Sequence, residues 1–114
     1  MQKTVLVAFN GDMTCFVHVL LNALDMADKG IAVKIVIEGS ATKLIPDLAK
    51  ESGISSLYKR IKELKLIDCV CQACAAKMGV LDAVTAEGLP MCAEMKGHPS
   101  LGRYQQEGYT IITF

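Results

Sequence analysis

Three of the five cysteines in this 114-residue chain fall within one short stretch, residues 67–80. The stretch begins with β-branched residues and continues with small, helix-favouring ones, so we expect a strand that ends near Cys71 and a helix that begins there. In a parallel α/β sheet, ligands and chemistry collect at such a junction. Unpaired N–H groups and the helix dipole favour an anion there, which predicts a lowered pKa and a nucleophilic thiolate at Cys71.

Cys71 and Cys74 form a Cys-x-x-Cys motif, which in an α/β protein indicates either a redox pair or part of a metal site. A thioredoxin-like arrangement fits poorly, because the pair follows the third predicted strand, no aromatic residue precedes it and no proline follows it. A zinc site needs four ligands, and Cys69, Cys92 and His98 could complete one. No second Cys-x-x-Cys motif is present, so metal binding stays an alternative to a nucleophilic Cys71.

The roles expected for the other cysteines follow from their predicted surroundings. Free cysteine is among the most buried residue types, so Cys69 within its strand and Cys15 in the first helix are expected to be packing residues. Cys74 lies one helical turn beyond Cys71 and is either a resolving thiol or a packing residue. Cys92 falls in a segment without a clear period, predicted to be a loop, and could fold over the junction.

The two histidines are weaker candidates. His98 lies in the same predicted loop, residues 91–99, and could assist a thiol. His18 shares a polar stripe on the first predicted helix, which indicates a solvated side chain. No phosphate-binding glycine-rich loop and no serine–histidine–aspartate arrangement stands out, so we assign no cofactor.

Short apolar runs alternate with helical patterns along the whole chain. A run that is continuously apolar indicates a strand buried on both faces, as in parallel sheets. We therefore predict one α/β domain over residues 1–114, with three layers and a mostly parallel sheet flanked by helices, as in flavodoxin-like and Rossmann-like folds. At least four strands are expected, at residues 4–9, at residues 31–37, in the cysteine stretch and at residues 109–114.

Composition limits the classes of partner. Twelve basic residues balance twelve acidic ones, which argues against nucleic-acid binding. The charged and polar positions of the most apolar helix argue against a membrane span, and no secretory signal is evident. The odd number of cysteines then indicates free thiols in a cytoplasmic protein. The 52% hydrophobic content is high for so small a domain and indicates apolar surface buried against another subunit.

The chain resembles the DsrE/DsrF/TusD-like group of small α/β proteins over nearly its whole length. The resemblance is carried by the apolar opening strand, by Glu38-Gly39 after the second strand, and above all by residues 70–80. In that segment a cysteine, Cys71, ends a strand, a turn of small residues follows, and Gly79 precedes a β-branched residue. Many members also have a cysteine where Cys74 stands.

The resemblance implies that Cys71 accepts sulfur as a persulfide and that a partner protein removes it. It further implies sulfur donor and acceptor proteins as partners, and cytoplasmic homo-oligomers, often trimers or hexamers. Cys74 could release the sulfur by forming a disulfide with Cys71. The chain departs from the relay subunits in its additional Cys69 and Cys92, and these keep redox and metal chemistry open. The alternative function is a non-catalytic oligomeric binding module in which the cysteines are structural.

Overall fold

The computed structural model describes residues 1–114 and contains five strands, six α-helices and one 3-10 helix. In chain order they are β1 (Lys3–Ala8), α1 (Met13–Asp28), β2 (Ala32–Ile37), the 3-10 helix (Gly39–Leu44), α2 (Ile45–Leu48), α3 (Ser55–Glu63), β3 (Ile67–Cys71), α4 (Gln72–Lys77), α5 (Leu81–Ala86), β4 (Met91–Cys92), α6 (Leu101–Gln106) and β5 (Thr110–Thr113). The predicted α/β class is confirmed.

The strands form one sheet in the order β4-β3-β2-β1-β5, and every neighbouring pair is parallel. The first four strands therefore step across the sheet in one direction, and the chain then returns past β1 to place β5 at the opposite edge. Reversing the direction of travel puts the last crossover helix on the other face, since parallel crossovers are right-handed. The two faces of the sheet are consequently covered by different helices.

The core is unequal on the two faces. The larger cluster has 22 buried residues and joins β1 side chains such as Leu6 to Phe16 of α1 and Ile61 of α3. The smaller cluster has 6 buried residues, among them Val5 and Tyr104 of α6. The second face thus has a thinner cover than the first.

Local contacts define both ends of the first helix. The Asp12 side chain accepts a hydrogen bond from the backbone N–H of Thr14 at 2.8 Å, which satisfies one of the N–H groups left free at a helix start. Lys29 is the C-cap, and Gly30 follows with φ +79°, a backbone conformation that glycine adopts without steric cost. No helix in the structure combines the length and the apolarity needed to cross a membrane.

Residues 91–99 differ from the sequence prediction of a loop, because Met91–Cys92 forms the edge strand β4. Val70 pairs with Met91 and Cys71 with Cys92, and a strand of two residues is too short to show a period. The expectation of free thiols is also wrong in part: Cys69 and Cys92 form a disulfide, while Cys15, Cys71 and Cys74 are free. The disulfide links β3 covalently to an edge strand that has only these two paired positions.

We predict that reducing the Cys69–Cys92 disulfide lowers the free energy of unfolding. The bridge spans 23 residues, and closing a loop of that length restricts the unfolded chain by about 3 kcal/mol. Denaturant unfolding with and without a phosphine reductant measures the difference. A Cys69→Ser/Cys92→Ser variant is the control, since its stability should not respond to the reductant. Equal wild-type stability in both conditions would contradict the prediction.

Candidate functional site

Cys71 is the last residue of β3 and also the N-cap of α4, so the predicted strand–helix junction is present. Its side chain has no exposed surface. The Sγ atom accepts a hydrogen bond from the backbone N–H of Cys74 at 3.4 Å, the contact that a serine or aspartate oxygen makes at most helix starts. The thiol is therefore held in one position by the backbone of the first helical turn.

Cys74 lies on that turn, is half-buried, and borders an open cleft of about 430 Å³. Two large apolar side chains at the cleft are exposed, Phe9 by 53% and Met78 by 37%. The cleft is lined by Phe9, Gly39, Ser40, Ala73, Cys74, Lys77, Met78 and His98. Cys74 is thus the thiol that a molecule in the cleft meets first, with Cys71 behind it.

His98 reaches the cysteines because a tight turn presents it. Lys96 and Gly97 both have positive φ angles, 51° and 93°, as the two central residues of a type I′ turn require. The flanking residues close the turn with two backbone hydrogen bonds, from Met95 N–H to the His98 carbonyl at 2.8 Å and from His98 N–H to the Met95 carbonyl at 3.0 Å. The imidazole is therefore carried on a rigid hairpin.

The hairpin docks on the first turn of α4. The backbone N–H of Ala73 donates to the Gly97 carbonyl at 2.9 Å. A side chain at Gly97 would place its Cβ only 3.0 Å from the Ala73 Cβ, so only glycine allows this approach without displacement. The docked hairpin places His98 Nδ1 at 3.1 Å from Cys71 Sγ and 3.8 Å from Cys74 Sγ.

The predicted lowering of the Cys71 pKa is wrong. Burial raises the pKa of the Cys71 thiol to about 11, the Cys74 N–H lowers it by a smaller amount, and the Cys74 side chain and the charge of Glu38 raise it further. The helix that was expected to stabilise a thiolate has only six residues and offers one N–H to the sulfur. Removal from water outweighs that single donor.

Glu38 adds a carboxylate to the same group of side chains. It directly follows β2, next to the carboxyl end of β3. Burial raises the pKa of Glu38, and attraction to His98 opposes that rise. The thiol, the imidazole and this carboxylate therefore influence one another electrostatically.

The structure brings together some of the sequence-derived candidates and separates others. The ligand atoms of Cys71, Cys74 and His98 all lie within 4.8 Å of one another. Cys69 and Cys92 are bonded to each other, so a four-ligand zinc site that draws on them is not formed. Cys15 lies in α1, and exposed His18 lies on the same helix.

The largest cleft of the molecule lies elsewhere. Its volume is about 790 Å³, and it is lined by residues of α3, by Ala49 and by Glu87, without any cysteine or histidine. Three of its polar side chains are paired with one another, since Glu87 accepts hydrogen bonds from Tyr58 at 2.6 Å and from Lys62 at 3.0 Å. The smaller cleft beside Cys74 is the one that borders the cluster of Cys71, Cys74 and His98.

The sequence predicts Cys71 and Cys74 as site residues. It does not indicate where the His98 side chain lies, or that Glu38 is part of the site. The consecutive Lys96-Gly97 before His98 is the signal that could have indicated a tight turn. Nothing in the sequence indicates where that turn docks, because His98 and Cys71 are 27 residues apart.

The arrangement of these side chains permits two kinds of chemistry. A nucleophilic sulfur with a base at hydrogen-bond distance can carry out thiol exchange. The donor atoms of Cys71, Cys74 and His98 can also bind a soft metal ion.

Comparisons with known proteins identify one family. The DsrE/DsrF-like family matches residues 9–114. An uncharacterized protein of Methanocaldococcus jannaschii is 33% identical over 102 residues, which cover 89% of this chain and 81% of that protein. An uncharacterized protein of Archaeoglobus fulgidus is 33% identical over 58 residues, 51% of this chain and 95% of its own length.

A solved structure supports the fold. The conserved protein of unknown function from Bacteroides thetaiotaomicron superposes with a TM-score of 0.75 at 19% sequence identity. The match covers 99% of this chain and 95% of that one. At this level of identity the likeness concerns the arrangement of strands and helices.

We predict that Gly97→Ala undocks the His98 hairpin. Alanine at φ +93° costs roughly 1–2 kcal/mol, and its Cβ would press on Ala73, so the Ala73 amide should lose its acceptor and exchange at least about tenfold faster with solvent deuterium. Amide exchange followed by NMR measures this. Gly102→Ala is the matched control: Gly102 lies in α6 without a positive φ, and its nearest neighbour would be 3.9 Å away. Unchanged protection of Ala73 in Gly97→Ala would contradict the docking.

Proposed function

Because this chain belongs to the DsrE/DsrF-like family, whose members generally act in sulfur relay, we propose that it is a sulfur carrier with persulfide sulfurtransferase activity. In this proposal Cys71 accepts sulfane sulfur as a persulfide and passes it to a partner protein. The observation that carries the proposal is the 3.1 Å approach of His98 Nδ1 to Cys71 Sγ. That contact joins a sulfur nucleophile that has no exposed surface to a base.

The loading step needs a thiolate, and His98 is the acceptor for the proton. The thiolate of Cys71 attacks the outer sulfur of a donor persulfide, R–S–SH. The donor sulfur–sulfur bond breaks, a new one forms to Cys71 Sγ, and the donor leaves as R–S⁻, which takes the proton from the imidazolium. Sulfane sulfur moves without net oxidation or reduction, and the charge in the buried site returns to its starting value.

Unloading has two routes. In the first, a thiolate of the acceptor protein attacks the outer sulfur and takes it as a new persulfide, which regenerates the Cys71 thiolate. In the second, the thiolate of Cys74 attacks Cys71 Sγ, which forms a Cys71–Cys74 disulfide and expels HS⁻. The two sulfur atoms lie within 4.8 Å, so the second route requires little movement. It also requires a dithiol reductant to reset the pair, and we therefore assign Cys74 to control of persulfide lifetime.

The partners must reach a sulfur atom that has no exposed surface. The cleft beside Cys74 is the route, and the exposed Phe9 and Met78 at its edge, together with Lys77, offer a small docking surface for donor and acceptor proteins. The expected cytoplasmic homo-oligomer, a trimer or hexamer, belongs to the same proposal. It is supported by other large apolar side chains left exposed in the single chain, among them Leu21, Met95 and Ile112.

We predict that only Cys71 is required for sulfur loading. After exposure to a low-molecular-weight persulfide, intact-protein mass spectrometry should show a gain of one sulfur atom in the wild type and in Cys74→Ser, but none in Cys71→Ser. The Cys74→Ser adduct should also persist longer, since its internal route of release is removed. Cys15→Ser is the control for a free cysteine outside the site. Normal loading of Cys71→Ser would exclude the assignment, and the absence of any sulfur gain in the wild type would favour the binding-module alternative.

We predict further that His98→Ala slows loading by about 100-fold, the lower range for loss of a general base. Stopped-flow measurement of donor consumption gives the rate, and free imidazole should restore part of it because it can enter the cleft and accept the proton. His18→Ala is the matched control, since that histidine is exposed on α1. A role for His98 in folding alone predicts no rescue by imidazole, so a slow variant that imidazole leaves unchanged contradicts the base assignment.

A further inference from the structure

We infer that Cys71, Cys74 and His98 form a binding site for a zinc-class divalent cation, with three protein ligands and one open coordination position. This inference goes beyond the sulfur-carrier proposal and does not depend on it. It follows from the placement of three donor atoms, which come from two separate segments and converge on one point beside the cleft.

The distances between the donor atoms fit one ion. Zinc binds sulfur at about 2.3 Å and imidazole nitrogen at about 2.0–2.1 Å, so its tetrahedral ligand atoms stand roughly 3.5–3.8 Å apart. His98 Nδ1 is 3.1 Å from Cys71 Sγ and 3.8 Å from Cys74 Sγ, and the two sulfur atoms are within 4.8 Å. Shifts of a few tenths of an ångström to about one ångström, within the reach of side-chain rotation, would place all three around a common centre.

The surroundings of the ligands are built to hold them. The Cys74 N–H donates to Cys71 Sγ, a bond that strengthens when the sulfur becomes a thiolate. The hairpin that carries His98 is closed by two backbone bonds and is fixed to α4 by the Ala73–Gly97 bond. Contacts of this kind orient metal ligands and raise affinity. The negative charge of Glu38 lies close enough to influence both His98 and Cys71, and it would add attraction for a cation.

The donor set selects the class of metal. Two thiolates and one imidazole suit zinc and other soft or borderline ions, and they do not suit magnesium or calcium, which prefer oxygen. Binding of Zn²⁺ releases the two thiol protons, so two negative charges balance the ion in a partly buried site. The fourth position faces the cleft, where water or an external thiolate can complete the tetrahedron, as in zinc sites that exchange a ligand.

Metal and persulfide compete for the same atoms. When zinc is bound, the Cys71 sulfur and the His98 nitrogen are both ligands of the ion. Cys71 is then unavailable to attack a donor. The metal-bound form should therefore be protected from persulfide formation and from oxidation, and removal of the ion should restore both.

The test uses Co²⁺, which reports tetrahedral thiolate ligation through a near-ultraviolet charge-transfer band. The full chain, stripped with a chelator in the presence of a phosphine reductant and held without oxygen, is titrated with Co²⁺ and then with Zn²⁺. We expect one Co²⁺ per chain, loss of the band when Zn²⁺ displaces it, and two protons released per ion. Removal of any one ligand should lower the affinity for the ion by more than the roughly 10–100-fold that removal of an outer contact costs. The three ligand variants are Cys71→Ser, Cys74→Ser and His98→Ala.

Matched controls separate this site from other thiols. Cys15→Ser and His18→Ala should bind as the wild type does, and so should Cys69→Ser/Cys92→Ser, which removes the pair that the reductant opens. Circular dichroism checks that each variant is folded. The inference is overturned if no charge-transfer band forms, if binding survives in Cys71→Ser or Cys74→Ser, if it is lost in the folded Cys69→Ser/Cys92→Ser protein, or if His98→Ala binds unchanged. Sulfur loading is measured without metal, so the carrier proposal can fail or stand independently.

Discussion

One backbone hydrogen bond fixes the middle of the segment that brings His98 to Cys71. The N–H of Ala73 donates to the carbonyl of Gly97, and this bond holds the His98 hairpin against the first turn of α4. The bond forms because the N–H groups of the first helical turn have no partner within the helix. Gly97 permits the close approach, since a side chain there would collide with Ala73. Without this contact Cys71 would be a buried thiol with no base, and Cys74 an ordinary half-exposed cysteine.

Burial explains why a base is needed. A thiolate in water is stabilised by hydration, and Cys71 has no exposed surface, so its pKa is raised to about 11 rather than lowered. A single N–H from a six-residue helix does not offset this cost. A neighbouring imidazole offsets the cost in another way, because the proton passes between two atoms only 3.1 Å apart and the resulting charges stay paired. The same exclusion of water would protect a persulfide once formed.

The limits of prediction from this sequence follow from the range of each interaction. Local patterns suffice for β1 and for the strand–helix junction at Cys71, because neighbouring residues determine those features. The two-residue strand β4 could not be recognised, since pairing with β3 rather than its own pattern defines it. The sequence predicts a loop at His98 but not the location of its side chain, because that location depends on contacts with a helix 24 or more residues earlier. The sign of the Cys71 pKa shift was missed for the same reason: burial is a property of the packed structure.

The Cys69–Cys92 disulfide limits the positions that His98 can reach. Only five residues separate Cys92 from His98, so the end of β4 is the near anchor of the hairpin. That strand has two paired positions, and its covalent link to Cys69 holds it to the sheet. The far anchor is the start of α6, where the Ser100 side chain accepts from the Arg103 N–H at 3.2 Å and Tyr104 packs with Cys69 and Cys92 in the smaller core cluster. The segment is thus fixed at both ends on the thinly covered face of the sheet, and its middle is fixed by Gly97. Because the segment is held at three points along twelve residues, the His98 side chain loses little further conformational entropy when it takes a proton or binds an ion. This preorganisation lets so small a domain place a base beside a buried sulfur.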